Sequence, residues 1–191
     1  MRCAGRVAAV RAEPDEDAER VTELLPGEPV EVVARREGWV RIRTAYDYPG
    51  WVRAGELEPG DGSLPGPSGG DPLEEARAYR GAPYLWGGLT LSGIDCSGLV
   101  HMAYRRLGRL VPRDAWQQAE AGAPVADPDP GAVAVYAEPE QRPDHVAFWL
   151  GAGRILHATG RDGLGVVEED EPAPLAARRV GFVRFEPRDS G

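Results

Sequence analysis

Tyr84-Leu85-Trp86-Gly87-Gly88, followed after a short gap by Ile94-Asp95-Cys96-Ser97-Gly98-Leu99-Val100-His101-Met102-Ala103-Tyr104, is the stretch whose reading decides the fold. Leu99, Val100, Ala103 and Leu107 recur at helical spacing, which places Cys96 on the first turn of a helix whose apolar face enters a core. The backbone N–H groups and dipole at a helix start favour thiolate over thiol, so the expected Cys96 pKa lies below the ordinary value of about 8.5. Helix position alone leaves a second reading open, in which Cys96 is one more small buried residue.

A nucleophilic thiol needs a base, and His101, His145 and His157 are the histidines of the chain. His101 lies five residues along the same helix, about 140° around the axis from Cys96, and cannot easily reach the sulfur. It is expected on the surface or held by a partner of its own. His145 and His157 each sit in an apolar strand, His145-Val146-Ala147-Phe148-Trp149-Leu150 and Arg154-Ile155-Leu156-His157-Ala158, joined by Gly151-Ala152-Gly153. A three-residue hairpin with Gly153 left-handed sets Leu150 opposite Arg154 and Ala147 opposite His157. Both histidines then project from one sheet face as diagonal neighbours, about 7–8 Å apart between Cα atoms. Such a pair is half of a metal site, but a site needs three or four ligands. Cys-His-His as nucleophile, base and orienter fits better, because an imidazole needs its other nitrogen held to keep a useful tautomer. No metal and no organic cofactor is expected.

Around this stretch the chain changes character twice. Before it, short apolar runs at 6–11, 21–25, 30–34, 39–44 and 50–52 alternate with turn residues, which predicts a small all-β barrel over 1–58. Residues 59–71 are rich in Gly and Pro and read as a linker. Asp71 and Pro72 then open a helix, with Glu74 completing a capping box. From there to residue 191 helices at 72–80, 96–107 and 114–121 precede strands at 132–137, 145–150, 154–158 and 180–185, an α+β order. Residues 168–172 read as a solvated acidic run.

Composition removes several function classes. The 191 residues carry a net charge of −9, against a nucleic-acid partner, and no apolar run approaches the ~20 residues of a membrane span. All 22 basic residues are Arg, and Lys and Asn are absent, which excludes a lysine nucleophile and an asparagine orienter. Cys3 and Cys96 are too few for a disulfide scaffold, and 1–15 lack the apolar core of an export signal, so a reduced, cytoplasmic setting is expected. The oligomeric state and the role of Cys3 are left open.

Taken in order, Tyr84-Leu85-Trp86-Gly87-Gly88, Asp95-Cys96-Ser97-Gly98-Leu99-Val100, Pro112-Arg113-Asp114 and the His145/His157 hairpin resemble the NlpC family of bacterial cell-wall cysteine peptidases, over roughly residues 72–186. That resemblance implies a papain-like cysteine peptidase domain of α+β class, with Cys96 attacking an amide carbonyl, His145 as base and His157 orienting it. It also implies a murein stem peptide as substrate. Within the family the chain is most similar to two-part enzymes in which an SH3-like barrel precedes the peptidase. Those enzymes cleave the γ-D-glutamyl to diamino-acid bond of peptides with a free N-terminal L-alanine.

By the same resemblance Tyr48, in Tyr48-Pro49-Gly50-Trp51, supplies an aromatic wall near the substrate amine, and Asp95 binds that amine. Tyr84, Trp86, Ser97 and Asp114 match further substrate-contacting positions, with Glu19 or Glu23 as the barrel acid. Ala115 follows Asp114 where such relatives often have serine, so one hydroxyl toward the substrate carboxylate is missing. On the residues alone, Asp114 is also a good helix N-cap, and Trp51 and Trp86 suit a core. Asp95 beside a thiol would raise the thiol pKa, which points to a cationic group of the substrate nearby.

Overall fold

Glu13-Pro14-Asp15, Pro26-Gly27-Glu28 and Arg36-Glu37-Gly38 cut the N-terminal part of the chain into short strands. In the computed structural model, which describes residues 1–185, these are β1 (Arg2–Cys3), β2 (Ala8–Arg11), β3 (Arg20–Leu24), β4 (Val30–Arg36), β5 (Trp39–Thr44), β6 (Pro49–Arg53) and β7 (Leu57–Glu58). Five of them form an antiparallel sheet in the order β3-β2-β6-β5-β4, and β1 pairs with β7. The alternation expected in β5 is present: Val40 and Ile42 are buried while Arg41 and Arg43 face out. Val10, Leu24, Val40, Ile42 and Val52 form the core. The β4–β5 hairpin closes on Glu37 and Gly38, at φ of 39° and 82°, the two positive values that a tight hairpin turn demands. At Gly50 of β6 a Cβ would stand 2.3 Å from Val10 Cγ1, so glycine lets the strand cross the core.

Residues 59–71 hold no helix or strand, yet each end is tied down. Ser63 N donates to Gly27 O at 3.1 Å, and Ser68 N to Leu107 O at 3.2 Å. The chain divides into two units, Met1–Gly66 with Trp86–Gly88, and Pro67–Leu85 with the residues from Leu89 onward. Positions 186–191 of the expected peptidase domain lie outside the described residues.

The second unit contains α1 (Pro72–Arg77), β8 (Leu89–Thr90), β9 (Gly93–Ile94), α2 (Cys96–Arg105), α3 (Ala115–Ala121), β10 (Ala123–Pro124), β11 (Val133–Tyr136), β12 (His145–Gly151), β13 (Arg154–Thr159), β14 (Gly165–Asp170), α4 (Ala173–Ala176) and β15 (Arg179–Arg184). Helices precede an antiparallel sheet of six strands in the order β10-β15-β11-β12-β13-β14, the α+β class expected. Asp71 caps α1 by accepting from Leu73 N at 2.9 Å, and Pro72 occupies the first turn. The helix stops at Arg77 rather than residue 80, because Tyr79 N and Arg80 N turn back onto the carbonyls three residues earlier. α2 likewise ends at Arg105 instead of 107, where Leu107 N and Gly108 N make the same tightened turns.

β12 buries both faces. The Phe148 ring stacks on Tyr104 of α2 at 6.4 Å between centroids, while Ala147 joins Ala134, Tyr136 and Ile155 in a second cluster. The β12–β13 loop departs from the expected three residues. Gly151 pairs with Arg154 across a two-residue turn, with Ala152 and Gly153 at φ of 50° and 75°, and a bulge between Trp149 and Gly151 takes up the extra residue. Phe148 therefore still faces Leu156, and the diagonal relation of the histidines survives. In this unit the sequence reading missed β8, β9, β10, α4 and, the longest of them, β14. Its acids are split by strand alternation, Glu168 pairing with Arg77 at 2.8 Å and Glu169 turning toward His157, so the run is partnered rather than merely solvated.

Candidate active site

Cys96 is the first residue of α2, with Asp95 as the N-cap whose Oδ1 accepts from Gly98 N at 2.6 Å. The sulfur is buried against the chain flanking His145: it stands 4.0 Å from Asp144 O, and the Val146 and Ser97 backbone N–H groups hydrogen-bond to it. Burial pushes the Cys96 thiol up to about 12, with Asp95 adding to the rise and the two N–H groups and Arg113 opposing it. The lowering expected from a helix start is thus outweighed by loss of water around the sulfur.

His145 opens β12, and His157 projects beside it from β13. His145 Nε2 and His157 Nδ1 are 2.9 Å apart, with the rings nearly perpendicular at 89°. His157 Nε2 in turn lies 2.8 Å from Glu169 Oε1, and Arg161 holds the other carboxylate oxygen. Because Nε2 of His145 is engaged by His157, Nδ1 is the nitrogen left to serve the sulfur. Burial, the neighbouring His157 and Arg178 bring the His145 pKa down to about 3, and burial lowers that of His157 as well. Near neutral pH the pair is therefore a thiol and a neutral imidazole, which suits proton transfer during attack rather than a standing ion pair. A cavity of about 700 Å³ opens beside the two rings, walled in part by Asp144, Arg161, Glu169 and Arg178.

The sequence reading looked to substrate for a cation beside Asp95, and the structure places one from the protein there. Arg113 binds both carboxylate oxygens, Nη2 to Oδ2 at 2.7 Å and Nη1 to Oδ1 at 2.9 Å, with both side chains buried. The same Nη1 reaches Ser97 Oγ at 3.0 Å, and Gln118 Nε2 bonds Ser97 O and Pro112 O at 2.9 Å. Arg113 and Gln118 thus brace the turn that carries Cys96. His101 is fully buried rather than on the surface, its Nδ1 2.8 Å from Val111 O.

Tyr84 is half-buried near Cys96 and Asp95, and burial, with the Asp95 carboxylate adding to it, raises its phenol pKa. Asp114 caps α3 and exchanges a capping-box interaction with Gln117, and Ala115 is buried behind it. Tyr48 is half-buried in the first unit, its N–H bonded to Thr44 Oγ1 at 3.1 Å and its ring 6.3 Å from that of Tyr46. Trp86 falls in the first unit and is exposed, with its indole N–H donating to Glu19 at 2.8 Å. Glu23 is buried in β3 and pairs with Arg20 at 3.3 Å. Arg113 stood in a quoted motif without a role, and Glu169 was read as solvated charge; long-range pairing, not local pattern, identifies both. Among the described residues no group of three or more His, Cys, Asp or Glu is placed to hold a metal ion.

Comparison with known proteins finds a family model for each part of the chain. A family model described as NlpC/P60 family matches residues 81–178, and one described as bacterial dipeptidyl-peptidase Sh3 domain matches 10–57. A gamma-D-glutamyl-L-lysine dipeptidyl-peptidase of Bacillus subtilis is 30% identical over 131 residues, covering 66% of this chain and 43% of that protein. A probable endopeptidase of Corynebacterium glutamicum is 38% identical over 89 residues, covering 45% of this chain and 40% of that one. The chain thus spans less than half the length of these curated relatives. Among solved structures, an NlpC/P60 family protein from Bacillus cereus aligns with 97% of this chain and 63% of its own, at TM-score 0.58 and 21% identity. The peptidoglycan hydrolase RipB from Mycobacterium tuberculosis aligns with 60% of this chain and 62% of its own, at TM-score 0.51 and 32% identity. A papain-like second unit preceded by a bacterial SH3 domain accounts for both sets of matches, and the chain belongs to the NlpC/P60 family.

Proposed function

We propose that the chain is a cysteine peptidase that hydrolyses the γ-D-glutamyl to diamino-acid amide in murein stem peptides carrying a free N-terminal L-alanine, as a step in recycling wall peptides. The observation that carries the chemistry is a buried thiol at a helix start, lying against the backbone on either side of His145, whose Nε2 is held by His157 at 2.9 Å. Cys96 Sγ attacks the amide carbonyl as His145 Nδ1 takes the thiol proton. The oxyanion forms where the Cys96 backbone N–H at the helix start can meet it. His145 returns the proton to the leaving amine, the C–N bond breaks, and a thioester remains. Water then attacks the thioester, giving up its proton to His145, which restores the thiol.

The substrate reading rests on the name of the Bacillus subtilis relative, gamma-D-glutamyl-L-lysine dipeptidyl-peptidase, and on the Sh3 domain match. The test is to incubate the chain with L-Ala-γ-D-Glu-L-Lys, its diaminopimelate counterpart, the N-acetylated forms of both, and purified sacculi, and to measure free diamino acid and released fragments. Release from a free-amine peptide, at least about 10-fold slower after acetylation, is expected. Equal rates on acetylated peptide, or faster action on sacculi, would instead favour an endopeptidase on intact wall, and the Corynebacterium relative is named a probable endopeptidase. No turnover of any of these substrates by the wild-type chain would instead leave a catalytically silent wall-binding module.

A further inference from the structure

We infer that Glu169 is a positioning residue: it sets the tautomers of both histidines in series and so leaves a lone pair on His145 Nδ1 for the sulfur. The inference rests on reading Cys96 and His145 as nucleophile and base.

Protons along the chain of hydrogen bonds from Glu169 to His145 can be counted. Each neutral imidazole carries one N–H and one lone pair. An ionised carboxylate only accepts, so Glu169 Oε1, 2.8 Å from His157 Nε2, requires the proton of His157 to sit on Nε2. His157 Nδ1 is then an acceptor, and at 2.9 Å it requires His145 to carry its proton on Nε2. His145 Nδ1 is left with its lone pair. Without an acceptor at Glu169 the opposite series is equally available: His157 donates from Nδ1, His145 accepts at Nε2 and carries its proton on Nδ1, where it cannot take another from sulfur. The carboxylate therefore chooses between a competent and an incompetent base two hydrogen bonds away.

Arg161 bonds the second oxygen of Glu169, which aims Oε1 at His157. Burial alone would raise the Glu169 carboxyl pKa, but the hydrogen bonds from His157 and Arg161 outweigh it and hold the group below its ordinary range. Other groups facing the series are Arg178 and Asp144, which pair with each other at 2.6 Å, Asp170 at the cavity wall, the Tyr136 phenol, whose ring lies 5.6 Å from that of His145, and Cys96 itself. Glu169 Oε1 is the acceptor that His157 Nε2 meets, so the choice of tautomer falls to Glu169.

The test combines histidine ¹⁵N NMR with kinetics on the stem-peptide substrate, using wild type, Glu169→Ala, Glu169→Gln and His145→Ala. In wild type both His145 and His157 are expected as Nε2–H tautomers. Glu169→Ala should give mixed tautomers and lower kcat/KM by about 10²-fold, in the range for removing the partner of a functional imidazole. Glu169→Gln keeps an acceptor but removes the charge. It should largely retain the tautomers, lose about 10-fold in kcat/KM, and move the acidic limb of the pH profile to lower pH, because the imidazolium formed in attack is no longer stabilised. Tautomers that stay Nε2–H in Glu169→Ala, or kcat/KM within twofold of wild type in either variant, would overturn the inference. An active His145→Ala would instead overturn the base assignment beneath it.

Discussion

Cys3 and Cys96 are both free, both buried, and both pushed toward the thiol by burial, to about 11 and about 12. What separates them is the company each sulfur keeps. Cys3 Sγ faces the carbonyls of Arg6 at 3.2 Å and Leu24 at 3.7 Å, and Glu28, Glu56 and Glu58 all disfavour a charge there, with a single backbone hydrogen bond from Ala8 opposing them. Cys96 faces two backbone N–H groups and Arg113, beside a histidine held by a second one. Ground-state burial of a thiol therefore says little about its chemistry. Donors placed where negative charge will develop, and a base with an open nitrogen, distinguish a nucleophile from core filler.

The widest contrast is between the corresponding alanine variants. Cys96→Ala is expected to reduce turnover of the stem peptide by at least about 10⁴-fold with little change in unfolding midpoint. Cys3→Ala should leave kcat within twofold and cost about 1–2 kcal/mol of stability, as small buried truncations do. His145→Ala should fall close to Cys96→Ala, about 10³-fold down, and His157→Ala should be milder. Steady-state assays with denaturant melts on the same preparations separate these outcomes. A Cys3→Ala variant as inactive as Cys96→Ala, while still folded, would erase the distinction.

The donors around Cys96 are held by one buried ion pair, and removing it sharpens the comparison. Arg113 and Asp95 are 1% and 7% exposed at their side chains, so Arg113→Met strands a carboxylate in the interior. The expected cost is about 3–5 kcal/mol, read from urea unfolding, with Arg113→Met/Asp95→Ala recovering part of it because no buried charge is then left alone. A loss below about 1 kcal/mol would show that water or another group takes the place of the guanidinium. Near Cys3, Arg6 pairs with Glu56 while its own side chain is largely exposed, and Arg6→Ala should be almost silent.

Local pattern and long-range packing contributed differently to what could be read beforehand. Alternation marked β5, and apolar spacing put Cys96 at the start of α2, because both depend on neighbours within a turn or two. The facing of His145 and His157 was legible for the same reason, since two strands joined by a short loop have few registers to choose from. Even so, the loop itself was misjudged: Ala152 adopts φ of 50°, uncommon for a residue with a Cβ, and a reading that trusts glycine sees only Gly153 as left-handed. The rest depends on residues far apart. Asp144 and Val146 seal Cys96 from about fifty positions away, Arg113 comes to Asp95 from eighteen, and Glu169 was hidden in an acidic run whose members face opposite sides of β14.

The last contrast concerns protons rather than side chains. Burial lowers the pKa of His101 and of His145 to about 3, and lowers that of His157 too. An unfolded chain titrates these groups near the ordinary histidine value of about 6.5, so below that pH the unfolded state binds protons that the folded state refuses. Stability is therefore fully present above about 6.5 and declines as pH falls toward 3, with a slope of about 1.4 kcal/mol per pH unit for each histidine fully engaged. His101 isolates this effect from catalysis, since it lies in the core with its Nδ1 on Val111 O and contributes nothing to the His145–His157 pair. His101→Gln should flatten the pH dependence of urea unfolding between 6.5 and 4 while leaving the pH profile of kcat/KM in place. The first unit contains no histidine, so its sheet should show none of this slope, and a comparison of amide exchange in β5 with that in β12 at pH 7 and pH 5 reads the difference directly. Equal acid sensitivity in both would mean that carboxylates, not buried imidazoles, govern acid unfolding of the chain.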